Sequence, residues 1–91
     1  MTTIFVSHRV ADYDAWRLIY DDDRPRREAL GLEEAGHFHS GEDRNRFYFV
    51  WKTQSSIGDA RAAIDAMVEE IRDLMAEGGL LEPPAFFYCE D

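Results

Sequence analysis

The chain lacks the features of a secreted, membrane-spanning or nucleic-acid-binding protein. It holds a single cysteine, Cys89, so no disulfide can form within the chain. Its 10 Lys and Arg residues stand against 19 Asp and Glu, and the formal net charge of −9 repels nucleic-acid phosphates and anionic membrane surfaces. No apolar run approaches the length of a membrane span, and Met1 leads into a strand-like stretch without the regions of an export signal. We therefore expect a cytoplasmic protein with no nucleic-acid or membrane partner.

What the chain does contain is enough for one domain. Its 91 residues are too few for two ordinary domains, and no repeat, linker or low-complexity segment divides residues 1–91. Hydrophobic residues make up 45% of the chain and aromatic residues 13%, which predicts a core rich in rings. Because a chain of this length buries only a modest core, association with a second subunit is expected.

Alternation and helical spacing define the first part of the chain. Thr3 to Val10 is rich in β-forming residues and predicts a strand with one face made of Ile4, Val6, His8 and Val10. Asp12 suits the N-cap of a helix whose apolar stripe is Tyr13, Trp16, Ile19 and Tyr20. Pro25 ends that helix within residues 21–24, and a short helical segment from Pro25 to Leu30 stops at Gly31.

The last part of the chain predicts a second long helix and a closing strand. Ser56 and Asp59 resemble a capping box, and the stripe that follows is Ile57, Ala60, Ile64, Met67, Val68, Ile71, Leu74 and Met75. Gly78 and Gly79 stop the helix, and residues 85–89 form the last strand. The order βαββαβ predicts an α+β, ferredoxin-like domain with a four-stranded antiparallel sheet and both helices on one face. The other face is left uncovered, and a second copy of the chain is its simplest cover.

Between these halves, Glu33 to Lys52 predicts a β-hairpin whose loop decides which side chains share a face. Ser40 to Asn45 has the composition of a turn, and Phe47 to Trp51 is strongly β-forming. An even-numbered loop centred between Glu42 and Asp43 would direct one set of side chains to the helices: Phe38, Phe47, Phe49 and Trp51. It would place His39 opposite Arg46 and His37 opposite Tyr48 on the other face.

That polar face is the candidate catalytic site. A neutral imidazole of His37 or His39 can take a proton at neutral pH, while Tyr48 and Arg46 can stabilise a developing oxyanion. These are the groups that a cyclase or isomerase needs. The structural alternative is that the same residues line a partly wet sheet surface or a subunit contact.

Further side chains are candidates for binding. Trp16 and Tyr20 could line a pocket between the first helix and the sheet, although aromatics at helical spacing are more often core. Val50 and His8 complete the predicted binding set, and for His8 a hydrogen bond to the backbone or to an acidic side chain is the simpler role. His-x-His could hold a metal with His8, Asp43 or Glu33 as third ligand, but no spacing fixes that choice. We therefore expect no metal and no cofactor.

Three stretches of the sequence resemble one known family. Residues 8–16 match the His-x-Val-x-Asp-Tyr-x-x-Trp start of small dimeric α/β-barrel proteins, the ferredoxin-like group that includes antibiotic-biosynthesis monooxygenases. Residues 41–52 and 76–88 fit the same pattern. The resemblance implies that two four-stranded sheets meet face to face in a homodimeric barrel, with ligands bound between sheet and helices or inside the barrel.

The same resemblance leaves several activities open, since the family includes cofactor-free oxygenases, polyketide cyclases, lactone isomerases and haem enzymes. Trp16, Trp51 and Tyr48 are of the types that cofactor-free oxygenases use, but the asparagine, tryptophan and tyrosine set of those enzymes is absent as a local motif. A haem would need an axial ligand, and no spacing singles out a histidine. We expect a dimer that binds an aromatic or polyketide-like molecule, as a cyclase or isomerase. The alternatives are a cofactor-free monooxygenase and a non-enzymatic binding or structural dimer.

Overall fold

The sheet has four strands, and each pair of neighbouring strands is antiparallel. In the computed structural model, which describes residues 1–90, the strands are β1 (Thr2–Arg9), β2 (Glu33–His39), β3 (Arg46–Thr53) and β4 (Ala85–Glu90). They lie in the order β2-β3-β1-β4, so β1 and β3 form the centre and β2 and β4 the edges. The predicted ferredoxin-like, α+β arrangement is confirmed.

Each of the two predicted helical regions consists of two consecutive helices. The first contains α1 (Tyr13–Asp22) and α2 (Arg24–Ala29), and the second contains α3 (Ile57–Glu70) and α4 (Arg72–Glu77). The break between α1 and α2 lies where Pro25 predicted it. The break at Ile71 was not predicted, and it is slight because the hydrogen bonds Ile71 N to Met67 O and Met75 N to Ile71 O run through it.

The predicted helix ends are confirmed by their local geometry. The Asp12 carboxylate accepts hydrogen bonds from the backbone N–H groups of Asp14 and Ala15, and Ser56 Oγ accepts from Asp59 N–H. Gly31 follows α2 with φ of 73°, in the left-handed region that favours glycine. No helix within residues 1–90 is long and apolar enough to cross a membrane.

The core lies between the helices and one face of the sheet. In the centre of the sheet Ile4 pairs with Trp51 and Val6 pairs with Phe49, and all four side chains are buried. The helices contribute the other large members of this core: Tyr13, Trp16, Tyr20, Ile64 and Met67. The alternation of β1 and β3 therefore predicted the helix-facing side of the central strands correctly.

The opposite side of the sheet, here called the open face, keeps its aromatic rings in solvent. Phe5, Tyr48, Phe87 and Phe38 are 46%, 43%, 59% and 60% exposed. The pairs Phe5–Phe87 and Phe38–Tyr48 lie directly opposite each other on neighbouring strands. The open face is therefore a continuous apolar surface that the helices do not cover.

The hairpin register departs from the prediction at one residue. Glu34 pairs with Trp51 as predicted, but a β-bulge at Ala35 shifts everything after it, so that His37 pairs with Phe49 and His39 with Phe47. Phe38 consequently lies on the open face opposite Tyr48, and its predicted place in the core is wrong. The two histidines lie on the helix-facing side instead of beside Arg46 and Tyr48.

Candidate functional site

A cavity lies between the sheet and helices α1, α2, α3 and α4, and we call it the helix–sheet cavity. Its wall is mainly apolar and includes Trp16, Phe49, Trp51, Met67, Met75 and Phe86. The volume of the cavity is about 50 Å³. The cavity is therefore narrow, and the two flexible methionines in its wall are the side chains best able to widen it.

His8 is a polar group in this wall, and its ring is held in one tautomer. The side chain is 6% exposed, and Nδ1 lies 3.2 Å from the carbonyl oxygen of Ser7. A carbonyl can only accept, so Nδ1 carries the proton and Nε2 is left as an acceptor. Burial lowers the pKa of His8 to about 4, so the imidazole is neutral at physiological pH. The backbone hydrogen bond expected for His8 is confirmed.

Tyr20 is a second polar group in the wall, and it connects the cavity to its surroundings. Trp51 Nε1 donates to Tyr20 Oη at 3.0 Å, and Tyr20 Oη donates to Glu34 Oε1 at 3.3 Å. Burial raises the pKa of Tyr20 to about 12, so the phenol keeps its proton. Its ring also stacks on Trp16 with centroids 4.6 Å apart. Trp16 and Tyr20 therefore belong to the core and also line the cavity, which satisfies both of the alternatives predicted for them.

A chain of hydrogen bonds continues from Glu34 to the surface of α1. His37 Nδ1 lies 3.1 Å from Glu34 Oε1 and 3.3 Å from Arg17 NH1, and the shorter contact has the nitrogen donating to the carboxylate. Nε2 is then the acceptor for Tyr13 Oη at 2.8 Å. We call these five residues the His37 network: Tyr13, Tyr20, Glu34, His37 and Trp51. Burial lowers the pKa of His37, which favours the neutral ring that this arrangement needs.

The bulge at Ala35 is what assembles this network. Residues three apart on a regular strand point to opposite faces, yet Glu34 and His37 both point towards the helices because one extra residue lies between them. Arg17 adds a positive charge beside them, with NH1 3.4 Å from Tyr13 Oη and NH2 3.9 Å from Glu34 Oε2. The geometry resembles a phenol–imidazole–carboxylate relay, but none of Tyr13, His37 and Glu34 lines the helix–sheet cavity.

The four predicted catalytic residues do not come together. His37 and His39 lie on the helix-facing side, where His39 Nδ1 donates to Arg44 O at 2.9 Å. Arg46 and Tyr48 lie on the other side of the sheet, and Arg46 bonds Ser7 Oγ and the Glu82 carboxylate. The prediction that they share a face is wrong because the loop and bulge shift the register by one residue.

The predicted binding residues also divide between the two sides. His8, Trp16 and Tyr20 line the helix–sheet cavity. Val50 lies with Tyr48 on the open face, where a groove also includes Phe5 and Phe87. Among residues 1–90 no three His, Cys, Asp or Glu side chains are grouped so that they could hold a metal ion.

Sequence reasoning missed three residues: Tyr13, Glu34 and Arg27. The helical spacing predicts Tyr13 in the apolar stripe of α1, where it does lie, but its hydroxyl also reaches His37. The signal for Glu34 was Gly36, because a lone glycine within a strand pattern often accompanies a bulge. Arg27 has no comparable sequence signal, since its burial depends on how α2 packs against Tyr20.

Comparison with known proteins identifies the fold. No protein-family model and no curated protein matches the chain. Among solved structures, a candidate antibiotic biosynthesis monooxygenase from Nitrosomonas europaea is 21% identical with a TM-score of 0.61, over 100% of this chain and 98% of that one. One from Bordetella bronchiseptica is 20% identical with a TM-score of 0.71, over 99% and 95%. A Streptomyces coelicolor monooxygenase in complex with nanaomycin D is 17% identical with a TM-score of 0.65, over 99% and 86%.

These likenesses agree with the strand order and helix positions described above. The chain has the ferredoxin-like fold of antibiotic-biosynthesis-monooxygenase-like proteins. At these identities the comparison establishes the fold.

Proposed function

We propose that this protein binds a small, ring-containing, mainly apolar molecule in the helix–sheet cavity. The observation that carries the proposal is the wall itself, in which aromatic and methionine side chains lie beside a few polar ones: His8, Tyr20, Asp23 and Arg27. Concave apolar sites with a small number of oriented polar groups are the usual form of small-molecule sites. The nanaomycin D complex of the Streptomyces coelicolor monooxygenase, which has a similar fold, supports a ligand of this kind.

If the protein is an enzyme, cofactor-free monooxygenation fits the cavity better than the cyclase or isomerase chemistry expected from the sequence. A cyclase would need a base beside its substrate, and the imidazole in the wall is His8, whose pKa near 4 makes it a weak base. His37 and His39 do not line this cavity. A cofactor-free oxygenase does not need a strong base beside its substrate, since an electron-rich substrate itself reacts with oxygen. Oxygen uptake with a hydroquinone-type substrate tests this alternative, and its absence with every such substrate would count against it.

We also propose that two chains associate through their open faces. Four exposed aromatic rings cluster there, and burial of such rings is a strong driving force for association. Light scattering on the intact protein should give the mass of a dimer, and Phe87→Glu should shift it to a monomer. Leu18→Glu is the matched control, because Leu18 is an exposed apolar residue of α1 away from this face. A monomer of the unaltered protein at micromolar concentration would overturn this proposal.

The binding proposal is tested with a neutral probe, 2-naphthamide, titrated by calorimetry. Val68 lines the helix–sheet cavity, so Val68→Phe should fill it and weaken binding about tenfold or more. Val50→Phe adds the same volume on the open face and should leave the dissociation constant within about twofold. The reverse pattern would move the site to the open face, and no binding at all would reject the proposal.

A further inference from the structure

Arg27 is a buried cation whose guanidinium makes no hydrogen bond to any other group within residues 1–90. It lies in α2, is 7% exposed, and lines both the helix–sheet cavity and a more polar groove beside it. Its guanidinium carbon lies 3.6 Å from the centroid of the Tyr20 ring. That stacking covers a flat side of the guanidinium and leaves the N–H groups at its edge available.

The other arginines show how unusual this is. Within residues 1–90 a carboxylate lies within 4 Å of seven arginines, namely Arg9, Arg17, Arg24, Arg26, Arg44, Arg46 and Arg72. Arg61 lies over the Tyr88 ring and is solvent-exposed. Arg27 is buried, and in that part of the chain no carboxylate or hydrogen-bond acceptor contacts its guanidinium. Arginine is seldom buried unless it is paired, because desolvation of the charge is costly.

The guanidinium nitrogens of Arg27 are not completely sealed off from solvent. No fully enclosed side-chain nitrogen or oxygen within residues 1–90 lacks a hydrogen-bond partner, so the unbonded nitrogens of Arg27 keep some solvent access, and the residue lines both the cavity and the groove. Burial nonetheless lowers the pKa of Arg27. An anion placed at this edge would relieve the desolvation and use the free donors.

We propose that the ligand of the helix–sheet cavity carries a carboxylate, and that Arg27 binds it at the α2 end of the cavity. The inference rests on the proposed function, since it adds a charged group to the same apolar ligand. Asp23 also lines the cavity, but its carboxylate is paired with Arg26 at 3.1 Å. Glu28, Glu33 and Glu34 line the polar groove, so a carboxylate is favoured on the cavity side of Arg27 and disfavoured on the groove side.

A matched pair of probes separates the charge from the ring. In calorimetric titrations at pH 7, 2-naphthoate should bind about tenfold or more tightly than 2-naphthamide, which is the value of a charge-assisted hydrogen bond. Arg27→Gln should weaken 2-naphthoate by a similar factor and change 2-naphthamide by less than about twofold. Arg61→Gln, which removes the exposed arginine, should change neither.

A third probe keeps this inference separate from the binding proposal. Sodium acetate, titrated against sodium chloride, should shift the Arg27 Nε resonance in ¹⁵N spectra of the unaltered protein whether or not naphthyl rings bind. If neither naphthyl probe binds but acetate shifts that resonance, the apolar ligand is wrong and the anion subsite stands. If 2-naphthamide binds as well as 2-naphthoate, or Arg27→Gln weakens both equally, the anion subsite is overturned while the binding proposal survives. If acetate and 2-naphthoate both fail, the subsite is overturned as well.

Discussion

Two groups of polar side chains lie on the helix-facing side of one sheet, and they differ in how completely they are hydrogen-bonded. In the His37 network every residue is hydrogen-bonded to at least one other member, in a chain that runs from Trp51 Nε1 to Tyr13 Oη. In the wall of the helix–sheet cavity, neither His8 Nε2 nor the guanidinium of Arg27 has a hydrogen-bond partner among residues 1–90. Satisfied buried networks stabilise and specify a fold, whereas unsatisfied polar groups beside a cavity indicate a ligand. The difference separates a structural region from the region in which we propose that a ligand binds.

The largest expected effect comes from deleting Ala35. The deletion removes the bulge, so that Glu34 and His37 can no longer share a face, and several buried groups lose their partners. We expect the free energy of unfolding to fall by roughly 3 to 5 kcal/mol, measured by urea denaturation. Ala35→Ser keeps the chain length at this exposed position and should change it by less than about 0.5 kcal/mol. A deletion variant with the stability of the unaltered protein would show that the network contributes little.

The bulge at Ala35 separates what the sequence predicts about this fold from what it does not. The periodicity of β1, β3, α1 and α3 is dictated by burial of one face, so the strands, helices and most of the core followed from it. The side chain of Phe38 could not be oriented this way, because one inserted residue reverses every later position in a strand. Gly36 leaves room for the Phe38 ring on the open face, since a Cβ at position 36 would come within 2.9 Å of that ring. Contacts of this kind, like the stacking of Arg27 on Tyr20, arise only in the assembled fold.

The next effect is a loss of stability in acid that depends on His8. Its pKa is about 4 in the folded protein and near 6.5 in the unfolded chain, so the unfolded chain binds the proton first as the pH falls. The stability contribution is fully present above pH 6.5 and is lost progressively towards pH 4, by about 3 kcal/mol in total.

His8→Gln supplies the comparison, because glutamine does not titrate while all carboxylates remain. Between pH 7.5 and pH 4 the unaltered protein should lose about 3 kcal/mol more unfolding free energy than the glutamine variant. His37, whose pKa burial also lowers, contributes with the same sign in both proteins. Parallel curves would mean that the pKa of His8 is the same in the folded and unfolded protein, so that the fold does not hold the imidazole neutral.

A smaller effect tests the central bond of the network, from Tyr13 Oη to His37 Nε2. In a double-mutant cycle of Tyr13→Phe and His37→Gln, the coupling in unfolding free energy should be about 1 kcal/mol. The matched cycle pairs Tyr13→Phe with His39→Gln. His39 contacts the ring of Tyr13 and not its hydroxyl, with 4.2 Å between the ring centroids. Because Tyr13→Phe keeps that ring, the coupling in this cycle should be near zero. Equal coupling in both cycles would assign the effect to packing and not to the hydrogen bond.

The smallest expected effect is the one that separates the two regions most directly. Arg27→Met keeps the apolar stem over Tyr20 but removes the charge, so the lost cation–π attraction and the recovered desolvation free energy oppose each other. The ligand-free protein should therefore stay within about 1 kcal/mol of the unaltered stability in urea denaturation. Removing one partner of a buried ion pair would instead cost roughly 3 to 5 kcal/mol. A loss of that size would show that Arg27 belongs with the satisfied groups and that its charge serves the fold instead of a ligand.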